Sequence, residues 1–173
     1  LILINGIRKT KSNSYLDFGG GYGIFVRLMR DIGLDFYWSD EYSENLLSSG
    51  FEDNYKTYNS IVSFEVFEHL QDPKKVLINL LERSSYLIIS TELVPKKIND
   101  LRSWDYLGFS HGQHITFFKK ETLDYLAKDL NLNLSTDNKS IHVLSKKKLD
   151  KNLILKAKII HKLKLYSLIK FFF

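Results

Sequence analysis

YLDFGGGYG, residues 15–23, places four of the chain's nine glycines within five positions. The apolar residues before them indicate a short buried strand over 14–18, and the spacing of apolar residues after them indicates a helix over 23–32. Glycine accepts positive φ in a tight turn and lacks the Cβ that would keep the backbone away from a ligand. We therefore predict a ligand-binding loop between the strand and the helix. Its required glycines are Gly19, Gly21 and Gly23, and Gly20 is merely permissive there.

Strand and helix patterns alternate along the rest of the chain. Predicted strands are 35–39, 60–66, 86–91, 132–137 and 140–146, and predicted helices are 42–48, 74–83 and 120–130. The last two strands flank an Asp137-Asn138 turn, and Asp72-Pro73 opens the helix that begins at residue 74. Such alternation favours βαβ crossovers. We expect an α/β, Rossmann-like fold with a mostly parallel sheet, helices on both faces and a C-terminal antiparallel hairpin.

The composition suits one domain with a real core, because 44% of the 173 residues are hydrophobic. There is no cysteine, which excludes disulfides and thiolate metal sites. The sequence contains neither a leader pattern nor a run of about 18 apolar residues, so a cytoplasmic location is the default expectation. Since the chain begins at Leu1, shortly before the glycine loop, we expect its N-terminal part to be missing.

The basic charge is concentrated at the C-terminal end. Residues 146–173 hold nine lysines and one aspartate, and the rest of the chain is mildly acidic. No nucleic-acid partner is expected, since phosphate binding needs clustered basic side chains on one face. We predict one domain over 1–146 and a basic, Lys/Leu/Ile-rich helical tail over 147–173. The lysines spread around the predicted tail helix, so peripheral membrane contact and packing on a partner both stay open.

The glycine motif has a specific likeness. Asp17-Phe18-Gly19-Gly20-Gly21-Tyr22-Gly23 resembles the first motif of the class I S-adenosylmethionine-dependent methyltransferases, in which an acidic and an apolar residue precede G-x-G-x-G. A nicotinamide-dinucleotide loop is the competing hypothesis, but its third small position would fall on Ile24, which is too large. Residues 59–73 and 104–132 resemble two further segments of the same family. The resemblance covers residues 14 to about 146.

The resemblance implies S-adenosylmethionine as the cofactor. Asp40 ends the second predicted strand, where an acid accepts hydrogen bonds from ribose hydroxyls. The adenine contact stays open between Glu52 and Asp53. The implied cofactor-binding residues are Asp17, Gly19, Gly21, Gly23, Asp40, Phe64 and Glu65.

Histidines are the candidate catalytic bases, since an oxygen or nitrogen acceptor must lose a proton. His114, in GQHITFF, is the first choice and His111 the second. The alternative is that either ring only caps its loop. Trp104 and Tyr106 either line the acceptor pocket or pack.

The EVFEH stretch also raises the question of a metal ion. Glu65, Glu68 and His69 are similar to a set that some quinone-pathway O-methyltransferases associate with a divalent cation. The same stretch occurs widely in methyltransferases without a metal, so no metal is expected.

The resemblance implies methyl transfer to a small-molecule, saccharide or lipid-linked acceptor. The sequence lacks a D/N-P-P-Y/F motif, which many base-modifying enzymes carry. The alternative function is a catalytically silent module of this fold that docks on a membrane or a protein partner.

Overall fold

The computed structural model describes residues 14–54, 56–96, 101–110, 112–150 and 152–162. Within these residues the strands are β1 (Ser14–Phe18), β2 (Asp35–Ser39), β3 (Ser60–Phe64), β4 (Tyr86–Ser90), β5 (Asn133–Thr136) and β6 (Ile141–Ser145). The α-helices are α1 (Ile24–Asp31), α2 (Pro73–Arg83), α3 (Lys120–Asp129) and α4 (Leu153–Lys162). Short 3-10 turns cover Phe67–His69, Leu101–Ser103 and Asp105–Leu107.

The strands form one mixed sheet in the order β2-β1-β3-β4-β6-β5. β1 pairs in parallel with β2 and β3, and β3 pairs in parallel with β4. β6 is antiparallel to both of its neighbours. The expected Rossmann-like sheet and its antiparallel hairpin are therefore confirmed, and β1 and β2 have the predicted bounds.

The sheet is covered by helices on both faces. On one face Leu77 of α2 and Leu123 of α3 pack against a core that includes Leu16. On the other face Val26 of α1 and Ile154 of α4 pack against a second core. The chain leaves β1 toward one edge and β3 toward the other, and right-handed crossovers in opposite directions place α1 and α2 on opposite faces. Their loops diverge above the carboxyl ends of the strands, which is where open α/β sheets bind ligands.

The start of α2 follows the predicted capping signal. Asp72 Oδ1 accepts a hydrogen bond of 3.0 Å from the backbone N–H of Lys75, and Pro73 occupies the first helical turn. Both features favour helix initiation here, because the cap satisfies a free N–H and proline has none to lose.

The helix predicted over 42–48 is wrong, because these residues form bends and irregular backbone. Asp40 Oδ1 accepts the backbone N–H groups of Tyr42 and Ser43 at 2.8 and 2.9 Å. The backbone N–H groups of Leu46 and Leu47 donate to the carbonyl oxygen of Tyr22 in the glycine loop. Such side-chain and loop acceptors compete with helical hydrogen bonds. The segment therefore lies against the glycine loop.

The predicted tail contains α4, which packs on the face that also carries α1, and positions 163–173 of that tail lie outside the described residues. Leu153, Ile154 and Ala157 are buried. Lys158 Nζ lies 2.8 Å from Asp137 Oδ2 in the β5–β6 turn, so an ion pair adds to the apolar contact. No helix in the described part of the chain has the length and apolar character needed to span a membrane.

Candidate cofactor and acceptor site

The carboxyl ends of β1, β2 and β3 border an open cavity of about 1010 Å³. Three of the predicted cofactor-binding residues, Gly19, Asp40 and Glu65, line it. They come from the ends of three neighbouring strands, so the parallel topology brings them together. His69 and Gln113 line the same cavity.

Gly19 brings the start of the glycine loop to one side of this cavity. Gly19 has φ +75, and a Cβ there would lie 2.3 Å from Cγ2 of Val66. Gly21 has φ +52, and a Cβ there would have no neighbouring atom within 4 Å, so its backbone faces open space. The prediction that Gly20 is merely permissive is wrong, because a Cβ there would lie 2.8 Å from both Asp17 Oδ2 and Trp38 Cδ1.

The end of β2 holds the glycine loop in place. The carbonyl oxygen of Ser39 accepts the backbone N–H groups of Gly19 and Gly20 at 2.7 and 3.1 Å. The indole Nε1 of Trp38 donates to the carbonyl oxygen of Gly21 at 2.8 Å. Sequence reasoning did not find Trp38 and Ser39, although their position directly before Asp40 was the available signal.

Asp40 joins the loop to the segment that follows β2. Its Oδ2 accepts the backbone N–H of Gly21 at 2.9 Å, and its Oδ1 accepts those of Tyr42 and Ser43. A carboxylate offers about four acceptor positions. Asp40 therefore retains acceptor capacity on the side of the cavity that it lines.

Asp17 lies beneath the loop with only 3% of its surface exposed. Burial, and after it the negative charge of Asp40, raises the pKa of Asp17 to about 7. The carboxyl group is thus poised to change its charge near neutral pH, and a cation placed above the loop would favour its ionised form.

Two further predicted residues have packing contacts. Phe64 packs edge-on against Phe25, with ring centroids 5.2 Å apart, on the α1 face of the sheet. A Cβ on Gly23 would lie 2.4 Å from Ser48 Oγ, so this glycine allows the segment after β2 to approach the start of α1.

Glu65 ends β3 in an unusual conformation, with φ +54. Its Oε1 accepts a hydrogen bond of 2.5 Å from Ser90 Oγ at the end of β4, and its Oε2 accepts one of 3.2 Å from the Tyr106 hydroxyl. Left-handed backbone in a residue with a Cβ costs about 1 kcal/mol or more and persists where surrounding contacts fix it. The two hydroxyl groups provide such contacts.

The loop after residue 104 places His114 beside the 3-10 turn at 67–69. His114 Nδ1 lies 2.5 Å from the carbonyl oxygen of Tyr106, and its ring centroid is 4.8 Å from that of His69. Trp104 is buried and donates from Nε1 to Glu92, which favours a packing role. The second candidate base, His111, lies outside the described residues.

The two candidates for the adenine contact have other contacts and are not among the described residues that line the cavity. Asp53 Oδ1 accepts hydrogen bonds from Tyr58 Oη at 2.7 Å and from Arg83 Nη2 at 2.6 Å. Glu52 accepts from Asn45 Nδ2 and from the backbone N–H of Gly50. Glu52 also forms an isolated β-bridge with Trp38, whose indole donates to the carbonyl oxygen of Gly21 in the glycine loop.

Residues 4–136 match the model of a protein family described as a methyltransferase domain. The chain belongs to this family, and the resemblance to the class I S-adenosylmethionine-dependent methyltransferases is confirmed. No curated protein matches the chain by sequence.

Solved structures with the same fold include several methyltransferases. CalO1, a methyltransferase in calicheamicin biosynthesis with bound SAH, is 15% identical with a TM-score of 0.59, over 84% of this chain and 53% of CalO1. Magnesium protoporphyrin IX methyltransferase from Synechocystis PCC 6803 with bound SAH is 18% identical with a TM-score of 0.53, over 77% of this chain and 73% of that one. A putative methyltransferase from Haloferax volcanii, in complex with the activator Trm112, is 12% identical with a TM-score of 0.60, over 84% and 88%. The chain thus spans about half the length of CalO1.

Proposed function

We propose that this chain transfers a methyl group from S-adenosylmethionine to an acceptor of the small-molecule, saccharide or lipid-linked class. The observation that carries the proposal is the contact between Gly21 and Asp40 at the edge of an open cavity. Family membership and the SAH-bound neighbours support it.

The glycine loop fits the cofactor, because the backbone of Gly21 has open space where a side chain would otherwise stand. Asp40 lines the cavity with remaining acceptor capacity, and it would receive hydrogen bonds from the ribose hydroxyls. Gly19 and Glu65 border the same space. Asp17 would support the cofactor site from beneath the loop, and Gly23 would support it from the start of α1. Phe64 would contribute through its packing around α1.

Asp17 would contribute charge. The cofactor supplies a methyl group on a positively charged sulfur, which is a good leaving group. A cation above the loop would lower the pKa of Asp17 from about 7 and keep its carboxylate ionised. Most of the remaining catalysis would come from orientation in a dry pocket.

His114 would take up the proton that the methyl acceptor loses. Its Nδ1 lies beside a carbonyl oxygen, which can only accept, so the neutral ring carries its proton on Nδ1 and its lone pair on Nε2. The lone pair on Nε2 can accept a proton from an acceptor hydroxyl or amine. His111 is the second candidate.

The partners and the extent of the domain are part of the proposal. Residues 1–146 would form the methyltransferase domain. Within the basic tail over 147–173, α4 packs on this domain through Leu153 and Ile154, so the exposed side of the tail would provide the contact with a membrane surface or protein partner. The Trm112 complex of the Haloferax protein supports only the general idea that a domain of this fold takes a protein partner.

The test compares ligands by isothermal titration calorimetry and thermal unfolding. SAH should bind and raise the unfolding temperature, NADH should do neither, and Asp40→Ala should abolish most of the SAH effect. Asp31→Ala is the matched control, because this acid pairs with Arg27 on the exposed side of α1. Protection by NADH alone, or undiminished SAH binding by Asp40→Ala, would contradict the proposal.

Acceptor screening then separates the enzyme from the silent module. Transfer of a labelled methyl group to any small-molecule, saccharide or lipid-linked acceptor supports the enzyme. SAH binding without transfer to these classes would favour the silent binding module.

A further inference from the structure

Glu68 is an unusual acid, because it is completely buried at 0% exposure. Neither of its carboxylate oxygens accepts a well-formed hydrogen bond from the residues that the structure describes, and the nearby Tyr106 hydroxyl donates to Glu65 instead. A buried carboxylate without a partner is costly, so such a group indicates a missing proton donor or cation.

Two histidines lie beside this carboxylate. One ligand atom from each of Glu68, His69 and His114 can be chosen so that all three lie within 4.8 Å of one another. The two imidazole rings meet edge to face, with an interplanar angle of 72°. These residues come from the 3-10 turn at 67–69 and from the loop that includes residue 114.

Both histidines are oriented by backbone carbonyl groups. His69 Nδ1 lies 2.9 Å from the carbonyl oxygen of Gln113, and His114 Nδ1 lies 2.5 Å from that of Tyr106. A carbonyl oxygen only accepts, so each Nδ1 carries the proton and each neutral ring has its lone pair on Nε2. Metal-binding histidines show this arrangement, in which the second ring nitrogen donates to an oxygen and fixes the tautomer.

The two segments are also held together by their backbones. The carbonyl oxygen of Glu68 accepts the N–H groups of Ile115 and Thr116 at 2.8 and 2.9 Å. Thr116 Oγ1 donates to the carbonyl oxygen of Leu70 at 2.6 Å. The cluster is therefore built on a connected frame. Glu65 is not one of the three candidate ligands, and its carboxylate accepts hydrogen bonds from the hydroxyl groups of Ser90 and Tyr106.

We propose that Glu68, His69 and His114 bind one divalent transition-metal ion through a carboxylate oxygen and the two Nε2 atoms. A set of two imidazoles and one carboxylate suits Zn²⁺, Mn²⁺ or Fe²⁺, whereas Mg²⁺ and Ca²⁺ prefer oxygen ligands. Ligand atoms around one tetrahedral Zn²⁺ lie about 3.4 Å apart. His69 is exposed, so a small tilt of its ring about the Nδ1 hydrogen bond to Gln113 can close the difference from the spacing found here.

Three protein ligands leave a coordination position for another oxygen, and His69 lines the cavity that Asp40 and Gly19 share. This part rests on the proposed methyl transfer and narrows its acceptor to a compound with a hydroxyl group. The ion lowers the pKa of the bound hydroxyl, whose proton passes to solvent. The oxygen–methyl bond then forms as the sulfur–methyl bond breaks, giving an ether and a neutral thioether. When the ion is bound, His114 is one of its ligands, and the ion instead of His114 activates the acceptor hydroxyl.

The test uses the full chain, stripped of metal with a chelator and without any cofactor. Zn²⁺ titrated against a chromophoric competitor should bind at one equivalent, and Mg²⁺ should not compete. Glu68→Gln and His69→Ala should each weaken Zn²⁺ binding at least about tenfold. His161→Ala removes an exposed histidine on α4 and should leave the affinity unchanged.

Failure of saturable binding, or equal affinity in Glu68→Gln and His69→Ala, would overturn the site. Circular dichroism checks that the variants fold. If the buried substitution Glu68→Gln prevents folding, the exposed substitution His69→Ala still tests the site. Thermal protection by SAH is measured separately. Zn²⁺ binding without SAH protection would overturn the methyl-transfer proposal alone, and SAH protection without Zn²⁺ binding would overturn the metal site alone.

Discussion

The backbone N–H of Gly21 donates a hydrogen bond of 2.9 Å to Oδ2 of Asp40, and so joins the loop after β1 to the acid that ends β2. The same carboxylate holds the start of the segment that replaces the expected helix. One side chain therefore shapes the glycine loop and presents acceptor atoms to the cavity, so its charge and its shape are separable by mutation.

Asp40→Asn keeps the size of the side chain and one acceptor oxygen but removes the charge. Charge-assisted hydrogen bonds contribute roughly 1.5–3 kcal/mol. We expect the dissociation constant for SAH to rise about tenfold to a hundredfold, measured by calorimetry. Asp31→Asn should have no effect, and an equal change in both variants would contradict the assignment.

Gly19→Ala should destabilise the protein by roughly 1–3 kcal/mol, because the new Cβ would lie 2.3 Å from Val66 Cγ2 at φ +75. Gly33→Ala is the matched control, since it has φ +85 and open space around it. Urea unfolding should show a smaller loss there. Adding Val66→Ala to Gly19→Ala should recover part of the stability, and no recovery would argue against the steric cause.

The stability of the protein should depend on the charge of Asp17. Burial raises its pKa from 3.8 to about 7 in the folded state, so the folded protein holds this proton more tightly than the unfolded chain. The contribution of Asp17 to the free energy of unfolding is therefore largest below about pH 4 and falls as the pH rises to about 7. Asp17→Asn should remove a decrease of a few kcal/mol across this range. An unchanged pH profile in Asp17→Asn would contradict it.

His142 should give the stability of the protein a pH dependence opposite to that of Asp17. It is fully buried on β6, where Nε2 lies 3.1 Å from the carbonyl oxygen of Thr91 and Nδ1 lies 2.7 Å from Thr136 Oγ1. Burial lowers its pKa below 6.5, so the folded state disfavours the proton. Stability should fall as the pH drops below about 6.5, and His142→Gln should reduce this acid sensitivity in thermal unfolding. If the unfolding temperature of His142→Gln falls with acid as steeply as that of the native chain, another group is responsible.

The ion pair between Arg83 and Asp53 should stabilise the fold more than a surface pair. Its atoms lie 2.6 Å apart, and the side chains are 23% and 11% exposed. Arg83→Met should cost roughly 1–3 kcal/mol in urea unfolding, between the values for exposed and buried pairs. Arg27→Met breaks a pair whose side chains are 63% and 53% exposed, and it should cost at most about 0.5 kcal/mol. Equal losses of stability in Arg83→Met and Arg27→Met would contradict the proposed effect of burial.

The sequence predicted the parts of the fold that depend on local patterns. The apolar runs of β1 and β2, the glycines between β1 and α1, and the Asp72-Pro73 start of α2 carry their information within a few residues. The same patterns place Gly19, Asp40 and Glu65 at strand ends, and parallel topology is enough to bring strand ends together.

The sequence did not predict contacts that join distant segments. Residues 42–48 have a helical spacing, but Asp40 and the carbonyl group of Tyr22 bind their backbone N–H groups instead. Likewise, the hydroxyl of Ser90 on Glu65 follows from the register of β3 with β4, and the closeness of Glu68 to His114 follows from how one loop lies on another. Such relations require three-dimensional structure.

The place of β4 in the sheet has a consequence for biosynthesis. All five of its residues are buried, and its second edge pairs with β6, from Tyr86 opposite Ser145 to Ser90 opposite Ile141. While the ribosome is still making the intervening segment, this apolar strand has a free edge of the kind that recruits other chains. Expression fragments that stop before residue 141 should therefore aggregate, and chaperone dependence should be concentrated in that interval of translation.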